Sequence, residues 1–416
     1  MKNKFKDVIK CRLCNSNKFR EFIDFGHVPL GNNLQISSEL AKIVDSYELK
    51  VLTCMDCNHF QLSKAVSPEL MYATNYTYLS GIGNSFVEHI KDYVDTIITE
   101  TKLKKNNVVV DIGSNDGTCL QYFRDKGLVV CGVDPAKLPS DIANSKNIFT
   151  INKFFNKSIV EKVKKKFGYV DLVTSQNVLA HVDDLRGTFE NIYDLLKLNG
   201  YFVFEIGYFQ KVLESMCFDT IYHEHIDYHH ANPVVKFLCG LGFDVIKIDQ
   251  NNIQGGSLRL ILKKTDNGIV NKQPRLFLEK EKKSILYSEK KQINWKYDLL
   301  KRMEEFRVLF LKYNSKHTLS FAYGAPTKAT LLLKMSGFKE NDISFVIDDN
   351  NLKVGRYLPN SDIVIKSSKE IDYNKNALIV LLAWNFADDI IKKLKDKYKT
   401  SVTLLIPLPY PRVINI

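Results

Sequence analysis

Residues 108–117 read Val-Val-Val-Asp-Ile-Gly-Ser-Asn-Asp-Gly, and this stretch decides the fold. Its three β-branched residues predict a short buried strand that ends at Asp111. Gly113 and Gly117 then allow a tight turn that brings the backbone close to a ligand. A helix over residues 118–126 is predicted to follow this turn. We expect the stretch to begin an α/β unit.

A second strand over residues 128–133 ends on Asp134, which completes one nucleotide-binding half of a doubly wound sheet. The loop departs from the G-x-G-x-x-G dinucleotide pattern because Asp116 stands near its end. A carboxylate there repels a pyrophosphate and suits a cofactor with an amine or a sulfonium, and Asp134 can accept both ribose hydroxyls. The pattern indicates S-adenosylmethionine (SAM). The alternative is an α/β turn without a ligand.

The composition is that of a soluble globular protein of two or three domains. The chain has 416 residues, of which 45% are hydrophobic and 25% charged. No apolar run is long enough to span a bilayer, and residues 1–7 are not followed by the apolar segment of a signal peptide. We therefore expect a cytoplasmic protein without a membrane partner. The net charge of +12 is compatible with nucleic acid or with a phosphate-bearing small molecule.

Four cysteines near the N-terminus form two Cys-x-x-Cys pairs, Cys11 with Cys14 and Cys54 with Cys57. Two such pairs can supply the four sulfurs that structural zinc prefers. A redox dithiol and coincidence are the alternatives. A redox pair is usually single and opens a helix in a thioredoxin-like unit, which is not the pattern here. Four sulfurs fill the shell, so we expect the metal to be structural.

The α/β alternation continues to about residue 215, and a chemically rich stretch follows at residues 221–230. It reads Ile-Tyr-His-Glu-His-Ile-Asp-Tyr-His-His. A metal site, a proton-transfer site and a polar loop without a role are the three interpretations. A histidine suits proton transfer because its reference pKa lies near neutrality and a neighbouring Glu or Tyr can orient it.

A second nucleotide-fold unit is predicted at the C-terminal end. A strand over residues 319–323 meets a turn at Gly324, and a helix begins near Thr327 with Lys328 beside it. A helix N-terminus next to a lysine favours an anion. The missing G-x-G-x-x-G pattern argues against NAD, so the anion could be a substrate diphosphate. A purely structural domain is the alternative.

The order of these features resembles the SAM-dependent sugar C-methyltransferases, which act on nucleotide-linked keto-deoxysugars. The paired Cys-x-x-Cys motifs, a tyrosine-rich loop at 72–81, the Gly-Ser-Asn-Asp-Gly loop, His-Glu-His and Tyr-Gly-Ala-Pro-x-Lys carry the resemblance over nearly the whole chain. This chain departs from the family at Asp111 and Asp134, where the family commonly has Glu, and at Ala329, where it often has Gly.

The resemblance implies roles for individual residues. Zinc is expected on Cys11, Cys14, Cys54 and Cys57. SAM is expected against Asp111, Gly113, Asn115 and Asp116, with Asp134 on the ribose and Asn177 near the adenine or methionine end. The expected base is His225, with Tyr222 and Glu224 beside it and with Tyr76 and His181 lining the pocket. The nucleotide diphosphate is expected near Tyr323, Gly324, Ala325 and Lys328.

The fold class expected from these features is α/β. It comprises a zinc-binding domain (1–75), a Rossmann-like SAM-methyltransferase domain (76–265), a helical connector (266–315) and a second Rossmann-like domain that binds the nucleotide sugar (316–416). We expect a monomer that methylates C3 of a nucleotide-linked 4-keto-deoxysugar through a base-generated enolate. The alternatives are sugar O-methylation, a zinc-knuckle RNA-binding methyltransferase suggested by the pI of about 9.0, and a nicotinamide-dependent reductase. The lysines are scattered along the chain, which argues against a nucleic-acid partner.

Overall fold

The computed structural model of the chain describes residues 5–67, 71, 79–82, 84–339, 341–398 and 400–416. These residues form two compact units. The first consists of Met1–Glu21, Val51–Lys211 and Glu224–Tyr287, and the second of Phe22–Lys50, Val212–His223 and Ser288–Ile416. The division of the chain into four sequence domains stays a prediction.

The strands and helices alternate as expected for an α/β chain. The strands are β1 Phe5–Asp7, β2 Phe19–Pro29, β3 Ser46–Cys54, β4 Phe60–Leu62, β5 Lys64–Val66, β6 Val108–Ile112, β7 Val129–Val133, β8 Thr150–Ile151, β9 Val170–Gln176, β10 Leu196–Gly207, β11 Asp227–Tyr228, β12 Phe243–Asn251, β13 Ser257–Lys264, β14 Ser320–Tyr323, β15 Val346–Ile347, β16 Ile365–Lys366, β17 Leu378–Leu381, β18 Thr403–Ile406 and β19 Arg412–Asn415. The helices are α1 Ser38–Lys42, α2 Asn84–Thr101, α3 Thr118–Asp125, α4 Lys137–Ser145, α5 Lys157–Phe167, α6 Leu185–Leu195, α7 Phe209–Glu214, α8 Ala231–Gly240, α9 Lys272–Glu281, α10 Glu289–Asn314, α11 Ala329–Ser336 and α12 Ala387–Lys395.

The main sheet of the first unit has the order β12-β13-β10-β9-β6-β7-β8. The strands β10, β9, β6, β7 and β8 form parallel pairs, and β13 runs antiparallel between β10 and β12, so β12 has the same direction as the parallel strands. The order reverses between β6 and β9, and a doubly wound sheet binds its ligand at the carboxyl ends of the strands at such a switch point. The predicted cofactor loop (residues 113–117) follows β6, so it lies at the carboxyl end of a strand at this switch point.

Helices α2 and α3 cover one face of this sheet with a continuous apolar core. Ile90, Tyr93 and Ile97 of α2 are buried together with Leu120 and Phe123 of α3. The spacing of these residues matches the 3.6-residue helical period. This packing holds the start of α3, and with it the end of the cofactor loop, against β6.

The second unit contains a sheet of the order β16-β15-β14-β17-β18-β19. All of its pairs are parallel except β18 with β19, and the order reverses between β14 and β17. The predicted second Rossmann-like unit is therefore confirmed. Two smaller sheets complete the fold, one of the order β11-β4-β3-β2 and one that pairs β1 with β5.

Element boundaries differ from the sequence prediction at two informative places. β6 extends to Ile112, so Asp111 lies inside the strand and does not end it. The helical connector predicted over residues 266–315 contains two separate helices, because α9 ends at Glu281 and α10 begins at Glu289. Ser288 caps α10, and the Glu281 carboxylate accepts the amide of Ala231 at 2.8 Å. The two helices therefore make different tertiary contacts.

No helix among the described residues is both long and apolar enough to cross a membrane.

Candidate active site

The four predicted metal-ligating cysteines meet in the first unit. Their sulfur atoms all lie within 4.8 Å of one another, and no other group of metal-binding side chains was found in the part of the chain that the structure describes. The Cys11 and Cys57 sulfurs are 3.5 Å apart, and so are those of Cys14 and Cys54. The donor set is that of structural zinc, and it has no open position for a substrate.

The two cysteine turns have the same local geometry because each has the sequence Cys-x-x-Cys-Asn. Asn15 and Asn58 adopt left-handed backbone conformations, with φ of 63° and 66°. Their amides donate to the carbonyl oxygens of Cys11 and Cys54, in both cases at 2.9 Å. Asparagine tolerates this conformation better than most residues, so the asparagine at the fifth position helps to form each turn.

The thiols of the cluster influence one another's ionisation. A hydrogen bond from Cys57 lowers the pKa of Cys11 to about 5, whereas burial raises the pKa of Cys14 to about 11. Sulfurs this close cannot all be thiolates without a compensating cation. A bound divalent metal removes this conflict, so the residues fit zinc.

Gly113 and Gly117 of the cofactor loop are both required by the backbone. They have φ values of 72° and 79°. A Cβ atom on Gly113 would lie 2.2 Å from Cγ2 of Val178, and one on Gly117 would lie 2.8 Å from Cδ1 of Ile148. The loop therefore lies directly against the segment that follows β9, where Asn177 and His181 occur.

Acidic and amide side chains fix the conformation of this loop. The Asp134 carboxylate accepts the amides of Asn115 at 2.9 Å and Ala136 at 2.8 Å. The side chain of Asn115 accepts the amide of Ser80 at 2.9 Å, and that of Asp116 accepts the amide of Gly81 at 3.2 Å. Residues that precede α2 therefore contact the cofactor loop, which contains most of the predicted SAM residues.

Two buried polar atoms at this place are suited to a ligand. Oδ1 of Asp111 and Nδ2 of Asn177 have no hydrogen-bond partner within the described ranges. Unsatisfied buried polar atoms are rare in native proteins. Burial and the charge of Asp134 raise the pKa of Asp111. A cationic ligand would favour its ionised form, so these residues fit SAM, which has an ammonium group and a sulfonium.

His181 and His225 come together beside this loop. Their ring centroids are 4.8 Å apart, and Nδ1 of His181 donates to the carbonyl oxygen of Glu224 at 2.6 Å. The amide of Ile226 donates to the carbonyl oxygen of Ala180 at 2.8 Å. Burial lowers the pKa of His181, which favours its neutral imidazole. The two segments are thus joined at both histidines.

The other predicted pocket residues lie in three different settings. Glu224 is buried in the first unit, and Tyr222 is half-buried in the second. Tyr76 lies outside the described residues. The structure thus brings the cofactor residues and the two histidines together within one unit. The roles of these residues stay predictions.

The four residues predicted to bind the nucleotide lie at the carboxyl end of β14 in the second unit. Tyr323 donates to Asp349 at 3.0 Å, and the amide of Ala325 donates to Asp348 at 2.8 Å. Gly324 has φ of 90°, and a Cβ there would lie 2.3 Å from the Cβ of Ala383. Tyr323 and Ala325 therefore already have protein partners.

Lys328 has an environment that the sequence did not predict. Its Nζ lies 3.4 Å from Oδ2 of Asp219 and 4.0 Å from the centroid of the Trp384 ring. Nε1 of Trp384 donates to the same carboxylate oxygen at 2.6 Å. Asp219 is fully buried, and its Oδ1 has no hydrogen-bond partner in the described part of the chain. No sequence signal links these three residues, because each lies in a different segment.

The sequence also did not predict a buried ionic cluster around Glu205, which contacts the segment that carries Asn177. Glu205 on β10 accepts hydrogen bonds from His89 and from Arg259, both at 2.7 Å, and from Asn251 at 3.0 Å. Its backbone carbonyl accepts the amide of Asn177 at 2.8 Å. The only sequence signal for this cluster is Glu205 itself, a charged residue inside an otherwise apolar strand segment.

The chain matches three protein families. Residues 11–72 match a zinc binding domain, 86–248 a methyltransferase domain and 252–409 a C-methyltransferase C-terminal domain. Over 421 residues it is 28% identical to the C-methyltransferase NovU of Streptomyces niveus, with 100% of this chain and 99% of that protein covered.

Solved methyltransferase structures are similar to part of the chain. A SAM-dependent methyltransferase from Archaeoglobus fulgidus has a TM-score of 0.35 at 20% identity and covers 43% of this chain and 94% of its own. Magnesium protoporphyrin IX methyltransferase (ChlM) from Synechocystis PCC 6803 with bound S-adenosylhomocysteine (SAH) has a TM-score of 0.34 at 15% identity, over 43% of this chain and 83% of its own.

Proposed function

Since the chain belongs to the SAM-dependent sugar C-methyltransferases, we propose that it methylates C3 of a nucleotide-linked 4-keto-deoxysugar and that His225 is the general base. SAM and structural zinc are the cofactors of this enzyme. The position of methylation and the nucleotide-linked substrate extend beyond that family membership. The contact between His181 and His225 beside the cofactor loop carries the proposal.

The geometry supports a base in this place. The Gly113 turn lies against Val178, and the segment that begins there ends at His181, whose ring is 4.8 Å from that of His225. His225 is half-buried, so a substrate can reach it. A positioned imidazole that takes a proton in the transition state typically contributes about 10²–10⁴ in rate.

In the proposed reaction, His225 receives the proton that the sugar loses. A ketone at C4 of the sugar acidifies the proton on C3, and His225 takes that proton. The electron pair of the C3–H bond becomes the enolate π bond and then forms the new C3–CH₃ bond. SAM supplies the methyl group on a positively charged sulfur and leaves as neutral SAH. Proximity of the two reacting atoms can supply roughly 7–11 kcal/mol of the barrier.

Lys328 is the proposed contact for the diphosphate. It is held between a buried carboxylate and an indole ring, and it follows a strand end at a switch point. Parallel sheets bind ligands at such points. The charge of Asp219 is close enough to orient the lysine, and a diphosphate would compete with that carboxylate for the ammonium group.

The test compares His225→Ala with the wild-type enzyme on SAM and nucleotide-linked 4-keto-6-deoxysugars. We expect turnover to fall by at least about 10²-fold while the Kd for SAH stays within about twofold. His27→Ala is the matched control, because His27 is an exposed histidine on β2. Full activity of His225→Ala would exclude His225 as the base.

Product NMR tests the chemistry. C-methylation gives a quaternary C3 without its proton, whereas the alternative, sugar O-methylation, gives an O-methyl signal and retains the proton. An O-methyl signal would refute the proposed reaction and would still be compatible with His225 as a base.

A further inference from the structure

The turn that carries Cys11 and Cys14 also contacts both histidine segments. Arg12 follows Cys11 directly, and its Nε donates to both oxygens of Asp227, at 3.0 and 2.9 Å. Its Nη2 donates to the carbonyl oxygen of Val182. Asp227 is two residues after His225, and Val182 is one residue after His181. One guanidinium group thus joins the two segments.

The second cysteine turn contacts the same carboxylate. Nε2 of His59 donates to Oδ1 of Asp227 at 2.8 Å, and His59 is two residues after Cys57. The side chains of His59 and Asp227 are fully buried, and that of Arg12 is 7% exposed. Buried hydrogen-bonded ion pairs depend steeply on geometry, so small displacements of either turn change these bonds.

Backbone pairing reinforces this connection. β11 begins at Asp227 and pairs with β4, with Asp227 opposite Gln61. The side chain of Gln61 accepts the amide of Arg12 at 2.9 Å, and the amide of Leu62 donates to the carbonyl oxygen of Ile226 at 2.8 Å. The strand next to His225 is therefore an extension of the sheet that contains the second cysteine turn.

The cysteine cluster determines the spacing of these contacts. The Cys11 and Cys57 sulfurs, which are 3.5 Å apart, belong to the cysteines nearest Arg12 and His59 in sequence. A metal bound to both sulfurs fixes the separation of the two turns. Loss of the metal would remove this link between the two turns, and the bonds of Arg12 and His59 to Asp227 would then depend on the surrounding packing alone.

We propose that Arg12 and Asp227 are positioning residues through which the zinc-filled cysteine cluster fixes His225 against His181. This inference rests on the proposed function for the importance of His225, but the coupling itself is a structural property. The metal then does more than stabilise the N-terminal fold, because it sets the geometry of the histidine pair without contacting a substrate.

The main test is Arg12→Lys in the full-length zinc-loaded protein. Lysine keeps the charge beside Asp227 and loses the second donor group, which in arginine reaches the carbonyl oxygen of Val182. We expect zinc content and the Kd for SAH to stay unchanged, kcat to fall by about 10–100-fold, and amide hydrogen exchange to increase over residues 225–230 but not over 108–117. Asp56→Asn is the matched control, since Asp56 lies in the second cysteine turn and its exposed carboxylate lies 3.8 Å from Nζ of Lys18.

A second measurement does not depend on any substitution. Partial zinc removal from the wild-type protein by a chelator should increase exchange over residues 225–230 in proportion to the metal lost. Unchanged exchange there, in the chelated protein or in Arg12→Lys, would overturn the coupling even if His225→Ala were inactive. An active His225→Ala would refute the proposed function, and the exchange data would still decide the coupling.

Discussion

The imidazole rings of His181 and His225 lie with their centroids 4.8 Å apart and inclined by 53°. One follows a strand of the central sheet, and the other lies in the histidine-rich segment before β11. The cofactor loop contacts the segment that carries His181 through Gly113 and Val178. This relationship connects the cofactor residues to the proposed base.

His181→Phe should reduce catalysis more than it reduces cofactor binding. Phenylalanine keeps a ring beside His225 and loses the donor to the Glu224 carbonyl oxygen. An unsatisfied buried acceptor costs about 1–3 kcal/mol, which corresponds to about a 5- to 150-fold loss if the cost falls on the active geometry. We expect a lower kcat with an unchanged KM for SAM in steady-state assays. A rise of the KM for SAM of similar size, without a loss of kcat, would show that His181 contributes to cofactor binding instead.

Asp111→Asn should weaken cofactor binding. The substitution keeps the size of the side chain and removes the carboxylate that is predicted to ionise beside the cationic cofactor, while hydrogen bonds to charged groups contribute about 1.5–3 kcal/mol. The expected result is a Kd for SAM at least about tenfold higher in calorimetry.

The control for this substitution is Asp171→Asn. Asp171 accepts the amide of Val108 at 2.7 Å, at the opposite end of β6. It should alter stability and leave the Kd unchanged. Equal affinities of wild type and Asp111→Asn would remove Asp111 from the cofactor site.

Lys328→Ala should raise the KM for the nucleotide-linked substrate by about tenfold or more and leave the Kd for SAH unchanged, because a charged hydrogen bond to a phosphate would be lost. Asp219→Asn should change the same KM, since it removes the carboxylate that lies 3.4 Å from Nζ. Lys369→Ala, at an exposed lysine of the same unit, is the control. An unchanged KM in both variants would place the diphosphate elsewhere.

The stability of the protein should fall as the pH falls below 6.5, in part because of His223. Burial lowers the pKa of His223 to about 4 from its usual value of 6.5, while its Nε2 contacts the carbonyl oxygen of Tyr47 at 3.2 Å. Between these pKa values the unfolded chain binds more protons than the folded chain, so the free energy of unfolding decreases with decreasing pH. The loss from this residue is at most roughly 3 kcal/mol and is complete below about pH 4.

His223→Phe tests this assignment in urea unfolding experiments at pH 7 and pH 5. The variant keeps an aromatic ring edge-on to Tyr47, whose ring centroid is 6.1 Å away in the wild type. We expect a smaller difference in unfolding free energy between the two pH values than in the wild-type protein. A difference as large as that of the wild type would assign the pH dependence to other groups.

The sequence predicted the parts of the site whose chemistry lies in short motifs. Gly113 and Gly117 were predicted to allow a tight turn, and both have a left-handed backbone in the structure; the cysteine spacing predicted a four-sulfur cluster. The strand that carries Asp111 was also predicted, although its end was placed one residue too early. Local backbone sterics and fixed ligand spacing determine these features, so a short segment contains enough information.

The contacts between distant segments could not be predicted in this way. Arg12 with Asp227, Lys328 with Asp219, and Arg259 with Glu205 are ion pairs between residues far apart in sequence. A buried charge must find a partner, but the sequence does not say which one. Partner choice depends on which elements the packed core brings together.

The amino-acid sequence by itself determined the α/β class, the cysteine cluster and the cofactor loop, because each follows from local periodicity or from the spacing of a few side chains. Only the tertiary structure decided that His181 meets His225 and that both cysteine turns hold the strand beside them. Hydrophobic burial and sheet pairing bring these segments together. Neither acts on a single segment, so no single segment could reveal the pairing.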